Sequence, residues 1–308
     1  MLQRYRGWIL VVGLLVIAVA GTVIGLRLTS GPKLDSAGLA SYMPERDAAT
    51  LYIDVAALRS SGILDKLVGS TVGEEAEYKT FVQQTAFDYK RDLDRLMANS
   101  AEGTHYFLLD GRFEWDKLKS YATAQGGSCD GDFCSVKGTT PGRIISFYPV
   151  SKNLMALASS LNEKAAREIS ARTPTKPAFQ APAKPLWLHI PASTLHRQTD
   201  LPPGTKLFTR ALEPAERVVF SLGPQGEKFE LLMDVKCRTT EDAAVMKSQF
   251  EQLTKILQAF ISREKQSPSS KDLSGVLTSG SFQRQSEHVI GIWPIEKGFI
   301  DSLGGKSD

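Results

Sequence analysis

A continuous apolar run near the start of the sequence constrains this chain more than any other feature. Residues 7–26 have the sequence GWILVVGLLVIAVAGTVIGL and contain no charged side chain. A helix of this length spans about 30 Å, which is the thickness of the hydrocarbon core of a bilayer. The run has no polar stripe, so a buried helix of a soluble protein is a poorer interpretation. The sequence therefore predicts a transmembrane helix at residues 7–27.

The charges beside this run predict its orientation. Arg4 and Arg6 precede it, and basic residues are favoured on the cytoplasmic side of a membrane helix. We expect residues 1–6 to be a cytoplasmic stub, and the bulk of the chain to lie in the periplasm as a single-pass protein of the inner membrane. A cleaved signal peptide is the alternative, because an A-x-A pattern ends at Ala20. Cleavage there would release a periplasmic body.

The membrane segment also contains a candidate contact between helices. Gly21 and Gly25 form a G-x-x-x-G pair, and small residues at this spacing let two membrane helices approach closely. They are candidates for the contact of a homodimer through the membrane helix. The alternative is that glycine is simply common in membrane helices.

The cysteines agree with export from the cytoplasm. Cys129 and Cys134 flank an Asp-Gly sequence, which favours a tight hairpin and places the flanking residues opposite each other. They are therefore candidates for a disulfide in an oxidising compartment. Free thiols, a redox pair or a metal site are the alternatives, although the spacing is not C-x-x-C and there is no second pair. Cys237, the third cysteine, is expected to be buried at the end of a strand.

Charge and motif content exclude several classes of function. The sequence has 37 Lys and Arg against 34 Asp and Glu, a net charge of +3. Such a balance gives no support to a nucleic-acid partner, which usually requires a clearly basic face. None of the G-x-S-x-G, H-E-x-x-H, P-loop or G-x-G-x-x-G motifs occurs. We therefore predict no cofactor and no metal.

Composition and hydrophobic patterning divide the rest of the chain. The predicted segments are a tether at 28–46, a first half at 47–172, a Pro-rich linker or extended crossover at 173–185, a second half at 186–303 and a tail at 304–308. Both halves mix strand and helix patterns. The predicted fold class is α+β, with antiparallel sheets and packed helices.

The clearest secondary-structure signals lie in the second half. Residues 218–222 and 229–235 alternate apolar and polar side chains around a turn, which predicts an antiparallel hairpin. Residues 240–262 carry one apolar stripe at helical spacing, from Ala243 to Phe260. In the first half, residues 91–97 predict a short helix with a solvated, ion-paired face.

The two halves have a weakly similar pattern. Residues 51–57 and 186–192 each run from a strand into a predicted helix, and each half later has an apolar strand and an amphipathic helix. The chain could therefore be a duplicated α+β unit. Coincidence between common patterns is the alternative.

Three short segments carry a resemblance to known proteins. They are IDVAALR at 53–59, FDYKRDLD at 87–94 and GRF at 111–113. In this order, behind one membrane helix, they resemble a set of uncharacterised single-pass bacterial envelope proteins. The resemblance covers about residues 44 to 125 and implies an extracytoplasmic α+β body. It implies no particular activity.

A few polar groups are candidates for chemistry. Asp110 and Glu114 lie just after a predicted strand, and with His189 they could form a hydrolase site assembled by the fold. A turn and the acidic start of a helix explain these two carboxylates equally well. Asp130 and Asp132 could contact calcium, but their loop lacks further oxygen ligands.

These observations predict a membrane-anchored extracytoplasmic protein that is non-enzymatic. Its expected role is binding or envelope assembly, with an envelope protein or a small ligand as partner. Residues 7–27 are expected to anchor it in the lipid bilayer. An envelope hydrolase and a secreted periplasmic binding module are the alternative functions.

Overall fold

The computed structural model describes ten ranges of the chain: residues 35–44, 47–68, 76–101, 103–170, 180–195, 211–212, 214–226, 228–263, 268–269 and 272–303. The predicted membrane segment, with Ala20, Gly21 and Gly25, lies outside these ranges. Among the helices that these ranges contain, none is both long and apolar enough to cross a membrane.

The described residues form one large antiparallel sheet of twelve strands. The strands are β1 (Ala49–Asp54), β2 (Leu93–Ala101), β3 (Thr104–Gly111), β4 (Ser128–Asp130), β5 (Phe133–Lys137), β6 (Ile144–Ser151), β7 (Leu154–Ser160), β8 (Leu186–Pro191), β9 (Ala215–Gln225), β10 (Lys228–Cys237), β11 (Ser281–Gln285) and β12 (His288–Ile295). The predicted α+β class with an antiparallel sheet is confirmed.

The spatial order of the strands is β11-β12-β10-β9-β8-β1-β2-β3-β7-β6-β5-β4. Strands β1 and β8 are neighbours, with Leu51 opposite Leu188. The boundary between β8 and β1 therefore divides the sheet: all strands of the predicted first half lie on the β1 side, and all strands of the second half lie on the β8 side. The two predicted halves share one continuous sheet.

Most of the helices connect these strands, whereas the first precedes β1 and the last follows β12. They are α1 (Ser36–Ala40), α2 (Val55–Ser60), α3 (Leu64–Val68), α4 (Ala76–Thr85), α5 (Tyr89–Asp92), α6 (Trp115–Ala124), a 3-10 helix (Ala165–Glu168), α7 (Ala192–Leu195), α8 (Thr240–Arg263), α9 (Leu273–Thr278) and α10 (Lys297–Leu303).

One face of the sheet, here the helical face, is covered from end to end. Apolar side chains at alternate strand positions point to this face, because successive residues of a strand point to opposite sides. Leu96 and Leu231 are examples, and they pack against Leu58 of α2 and Ile300 of α10. Helix α6 covers the strands beside them, and α8 covers β10 to β12. This face contains most of the core of the second half.

The opposite face is buried around its centre. Tyr52, Met97 and Leu108 are neighbours across β1, β2 and β3, and Trp187 of β8 is fully buried beside them. The rings of Tyr52 and Trp187 stack with their centroids 5.6 Å apart. Helix α1 and the 3-10 helix cover this cluster. The two halves are therefore joined by packing as well as by the β1–β8 hydrogen bonds.

The prediction of a helix at residues 91–97 was wrong. Only Tyr89–Asp92 is helical, and Leu93–Ala101 is a central strand. This segment contains Leu, Met, Ala and Arg, which all favour helices in isolation. Met97 and Asn99 are 0% and 2% exposed, and this burial together with pairing to β1 and β3 overrides the local preference.

Helix α8 follows its prediction, since it spans Thr240–Arg263. Its apolar stripe is buried only in the first half of the helix, at Ala243, Met246 and Phe250. Phe260 is 63% exposed near its end. The helix is longer than the part of the sheet that it covers, which the stripe alone could not reveal.

Candidate functional site

The predicted disulfide is present. Cys129 of β4 and Cys134 of β5 are directly opposite in the antiparallel register and are bonded to each other. Gly131 has a positive φ of 60° in the turn between them, a conformation that glycine adopts at little cost. Cys237 is free and buried, and its sulfur lies 3.7 Å from that of Met246. Burial raises the pKa of the Cys237 thiol to about 11, so it is protonated and unreactive at neutral pH.

The three motif segments of the resemblance meet at one place in the fold. Arg59 of α2 donates from Nε to the carbonyl of Lys90 at 2.6 Å and from Nη2 to the carbonyl of Leu93. It therefore holds the end of α5 and the start of β2. Asp54, at the start of α2, accepts a hydrogen bond from the backbone N–H of Ala57 at 2.8 Å and so caps the helix.

The second segment supplies a buried carboxylate. Asp92 is 7% exposed and accepts hydrogen bonds from Arg91 at 2.8 Å and from the backbone N–H of Asp88 at 3.0 Å. Burial acts to raise the pKa of this carboxyl, but these hydrogen bonds and the charges of Arg91 and Arg112 lower it below its ordinary value. The predicted solvated face is thus partly an interior contact.

The third segment closes the arrangement from β3. Gly111 packs so tightly that an added Cβ would lie 2.5 Å from the carbonyl oxygen of Asp92. Arg112 pairs with Asp92 at 3.5 Å and with Asp94 at 3.4 Å. We call Arg59, Asp92, Gly111 and Arg112 the clamp. It joins α2, α5, β2 and β3, so these residues of the three segments make structural contacts with one another.

The end of the Pro-rich segment lies on the opposite face of the sheet as an extended crossover into β8. We call residues 180–185 the strap. The carbonyl of Pro185 accepts a hydrogen bond from Asp54 N at 2.6 Å, and Lys184 Nζ donates to the carbonyl of Pro224 at 3.1 Å. An added Cβ on Gly223 would lie 2.7 Å from Pro185. Glycine at this position therefore lets the strap approach β9 closely.

A cavity of about 660 Å³ lies between the strap and the second half of the sheet. We call it the sheet pocket. Its lining comes from the strap and from strands β9, β10 and β12, and it includes Arg217, Val219, Ser221, Leu232, Asp234 and His288. Cavities that hold small ligands usually measure about 300 to 1,000 Å³ and combine apolar walls with a few polar groups. The sheet pocket fits this description.

The charged groups of the sheet pocket differ in the ion pairs and hydrogen bonds that they make. Asp234 Oδ1 lies 2.6 Å from His288 Nδ1 across the β10–β12 pair. Lys184 lies 3.9 Å from Glu230 and also binds the β9–β10 turn. Arg217 is half-buried, and among the described residues it has neither an ion pair nor a hydrogen bond from its side chain.

A smaller cavity of about 380 Å³ lies across the strap and is lined by Tyr52, Asp54 and Arg95 among others. The arginine of this cavity, unlike that of the sheet pocket, forms ion pairs within the described part of the chain. Arg95 lies 2.8 Å from Asp110 and 4.0 Å from Asp54, so the chain itself supplies two carboxylates to it. Burial raises the pKa of Tyr52 to about 12, which keeps its hydroxyl neutral.

His189 of β8 is buried beside the sheet pocket. It is 3% exposed and lies opposite Val219, which lines the pocket. Its pKa is lowered from 6.5 to about 4, mainly by burial and to a smaller extent by the charge of Arg217, whereas the charge of Asp47 acts in the opposite direction. The imidazole is therefore neutral at neutral pH.

The structure does not bring the predicted catalytic groups together. Asp110 is on β3 in its ion pair with Arg95, and β1 and β2 separate it from His189 on β8. Glu114 is exposed at the start of α6. These three side chains therefore do not form the common site that the hydrolase hypothesis requires.

The calcium candidates have protein partners. Asp132 pairs with Lys119, and Asp130 lies 4.0 Å from Arg167. In the part of the chain that the structure describes, no group of three or more His, Cys, Asp or Glu side chains is placed to hold a metal ion.

Sequence reasoning missed the residues that line the sheet pocket. Arg217, Asp234 and His288 come from three different strands, and only Asp234 lies within a strand that the sequence predicted, whereas Arg217 directly precedes one. A single polar residue in a strand usually marks the solvated side of a half-buried strand. The only available signal was that several strands carried charged groups on the same face.

Comparison with known proteins supplies no family. No protein-family model and no curated protein matches the chain. Its fold is similar to solved structures of TP0453: crystal form I has a TM-score of 0.47 at 9% identity, covering 89% of this chain and 98% of that one. Crystal form III has a TM-score of 0.43 at 9% identity, covering 86% and 96%. These likenesses are too distant to carry an argument about function.

Proposed function

We propose that this chain is a membrane-tethered extracytoplasmic binding protein, with the sheet pocket as its ligand site. The observation that carries the proposal is the pocket itself: a cavity of about 660 Å³ with apolar walls and an arginine whose side chain makes neither an ion pair nor a hydrogen bond among the described residues. The anchor is residues 7–27, predicted from the sequence alone. The disulfide between Cys129 and Cys134 supports an oxidising location.

We infer further that the body is a duplicated α+β unit. Strands β1, β2, β3, β7 and β6 follow one another outward from the centre of the sheet, as β8, β9, β10, β12 and β11 do on the other side. In each set a lone strand is followed by a hairpin, a helix and a second hairpin. Additional strands β4 and β5 belong to the first half only. The strap joins the two units, and the sheet pocket belongs to the second one.

The location can be tested with the full chain expressed in a bacterium. We expect it in the membrane fraction at its full mass, with the body digested by protease only after the outer membrane is opened. A product shortened by about 20 residues would indicate cleavage after Ala20 instead. A cytosolic product with reduced Cys129 and Cys134 would overturn the proposed location.

The binding site can be tested with three related probes: phenylbutanoate, phenylbutanol and protonated phenylbutylamine. Binding to the full chain in lipid nanodiscs is measured by ligand-observed NMR, with empty nanodiscs as the baseline. The variant Gln180→Trp adds bulk to the strap where it lines the sheet pocket but not the smaller cavity, and Ala124→Trp places the same bulk at the exposed end of α6. Binding of any probe that only Gln180→Trp reduces supports the pocket as a ligand site, and no pocket-dependent binding of any probe rejects it.

A further inference from the structure

The charged groups in and beside the sheet pocket favour some ligands over others, and Arg217 is the group on which this preference depends. Lys236, directly opposite Arg217 in the register, lies 2.6 Å from Glu216. Asp234 is engaged by His288 at 2.6 Å. Arg217 interacts electrostatically with the adjacent Glu216, but among the described residues it is the charged lining group whose side chain makes neither an ion pair nor a hydrogen bond.

Because Arg217 is half-buried, its guanidinium favours the binding of an anion. A guanidinium that is partly removed from water loses hydration, and a hydrogen-bonded anion compensates for that loss. The buried His189 beside it is neutral at neutral pH, so it neither competes for an anion nor adds a second cation. In the smaller cavity, Arg95 already has Asp110 at 2.8 Å, and that site has no comparable requirement.

The rest of the lining defines the body of the ligand. Val219 is 5% exposed and Leu232 lies on the neighbouring strand, while the strap contributes Pro182 and Pro185. These groups offer apolar contacts and few hydrogen-bond donors. Asp234, on the neighbouring strand, is engaged by His288, and its charge disfavours any negative charge on the ligand beyond the one that Arg217 neutralises.

On these grounds we propose that the sheet pocket binds an organic monocarboxylic acid, with its carboxylate on Arg217 and its apolar body between the strap and strands β9 and β10. The planar guanidinium can donate two parallel hydrogen bonds to a carboxylate, which lysine cannot do. This inference rests on the proposed function, because it assigns a ligand class to the same pocket.

The test compares phenylbutanoate with phenylbutanol, which has the same apolar body without the charge. We expect the carboxylate to bind about tenfold more tightly to the full chain in nanodiscs, which is the effect of one charge-assisted contact at a half-exposed site. Arg217→Gln should remove this preference, so that the ratio of the two affinities falls to about one. Arg217→Lys should restore part of it. Arg284→Gln, which removes an exposed arginine from edge strand β11, should leave it intact.

The outcomes separate the two proposals. Equal binding of the two probes, or a preference for the carboxylate that persists in Arg217→Gln, overturns the ligand class while the pocket still binds. Absence of pocket-dependent binding by every probe overturns the binding function as well. Thermal unfolding of Arg217→Gln, compared with that of Arg284→Gln, shows whether the variant is folded. If Arg217→Gln does not fold, the wild type is compared with Arg217→Lys, which keeps the charge but cannot donate two parallel hydrogen bonds: a reduced carboxylate preference supports the assignment, and an unchanged one overturns it.

Discussion

The neutral imidazole of His189 makes the stability of the fold depend on pH in a calculable way. In the unfolded chain the ring takes up a proton near pH 6.5, whereas in the fold it does so only near pH 4. Above pH 6.5 neither state is protonated, so the full stability is present. As the pH falls, the unfolded state binds the proton first, and the free energy of unfolding decreases until the pH passes the pKa of the folded state.

The size of the effect follows from the two pKa values. Each pH unit between them corresponds to about 1.4 kcal/mol, so His189 accounts for a total loss of about 3 kcal/mol. About 2 kcal/mol of this should be lost between pH 7 and pH 5. This is a large share of the stability of a typical domain.

Urea unfolding at several pH values measures this quantity. His189→Gln cannot take up a proton, so its free energy of unfolding should fall by about 2 kcal/mol less than that of the wild type over the same pH interval. His105→Gln is the matched control, because His105 is half-buried and lies 2.8 Å from Ser100 Oγ near the surface. Because His105→Gln retains His189, the loss of about 2 kcal/mol that is attributed to His189 should remain in this variant.

Identical pH profiles for the wild type and His189→Gln would refute the reasoning. An independent check is the NMR titration of the His189 ring in the folded protein. A midpoint near pH 6.5 would show that the interior accommodates the charge, and burial would then not have the effect described above.

Three further predictions concern stability, each measured as the free energy of unfolding in urea. Gly111→Ala should cost about 1 to 3 kcal/mol, because its Cβ meets a backbone carbonyl that cannot move aside. Replacing Cys129 and Cys134 together by alanine should cost about 2 kcal/mol, the loop-closure entropy for so short a loop. Phe250→Ala should cost about 3 to 5 kcal/mol, since the ring is 3% exposed, whereas Phe260→Ala should cost about 0.5 kcal/mol or less.

Controls for these variants come from the same chain. Gly138→Ala should be milder than Gly111→Ala, since its nearest neighbour, a carbonyl of Arg143, is 3.2 Å away. Equal stability of Gly111→Ala and the wild type would mean that the clamp can open without cost. A reducing agent should destabilise the wild type but not the double alanine variant, and a response in both would assign the effect to something other than the disulfide.

Several features could be predicted from the sequence because they depend on local geometry. The Asp-Gly turn determines that Cys129 and Cys134 face each other, whatever the rest of the fold does. Alternation on both sides of a turn was sufficient for the β9–β10 hairpin, and the helical stripe was sufficient for α8. The strand at Leu93–Ala101 was missed because its side chains favour a helix until two neighbouring strands pair with it.

The sequence by itself determined the apolar run at 7–26, the cysteine hairpin, the α+β class and the motif order that forms the clamp. Only the tertiary structure decided that two strands separate Asp110 from His189 in the sheet, and that Arg217, Asp234 and His288 line one pocket under the strap. The physical reason is that an antiparallel sheet aligns residues by register rather than by distance along the chain. A polar residue on one strand therefore acquires its neighbours, and its role, only when the other strands are in place.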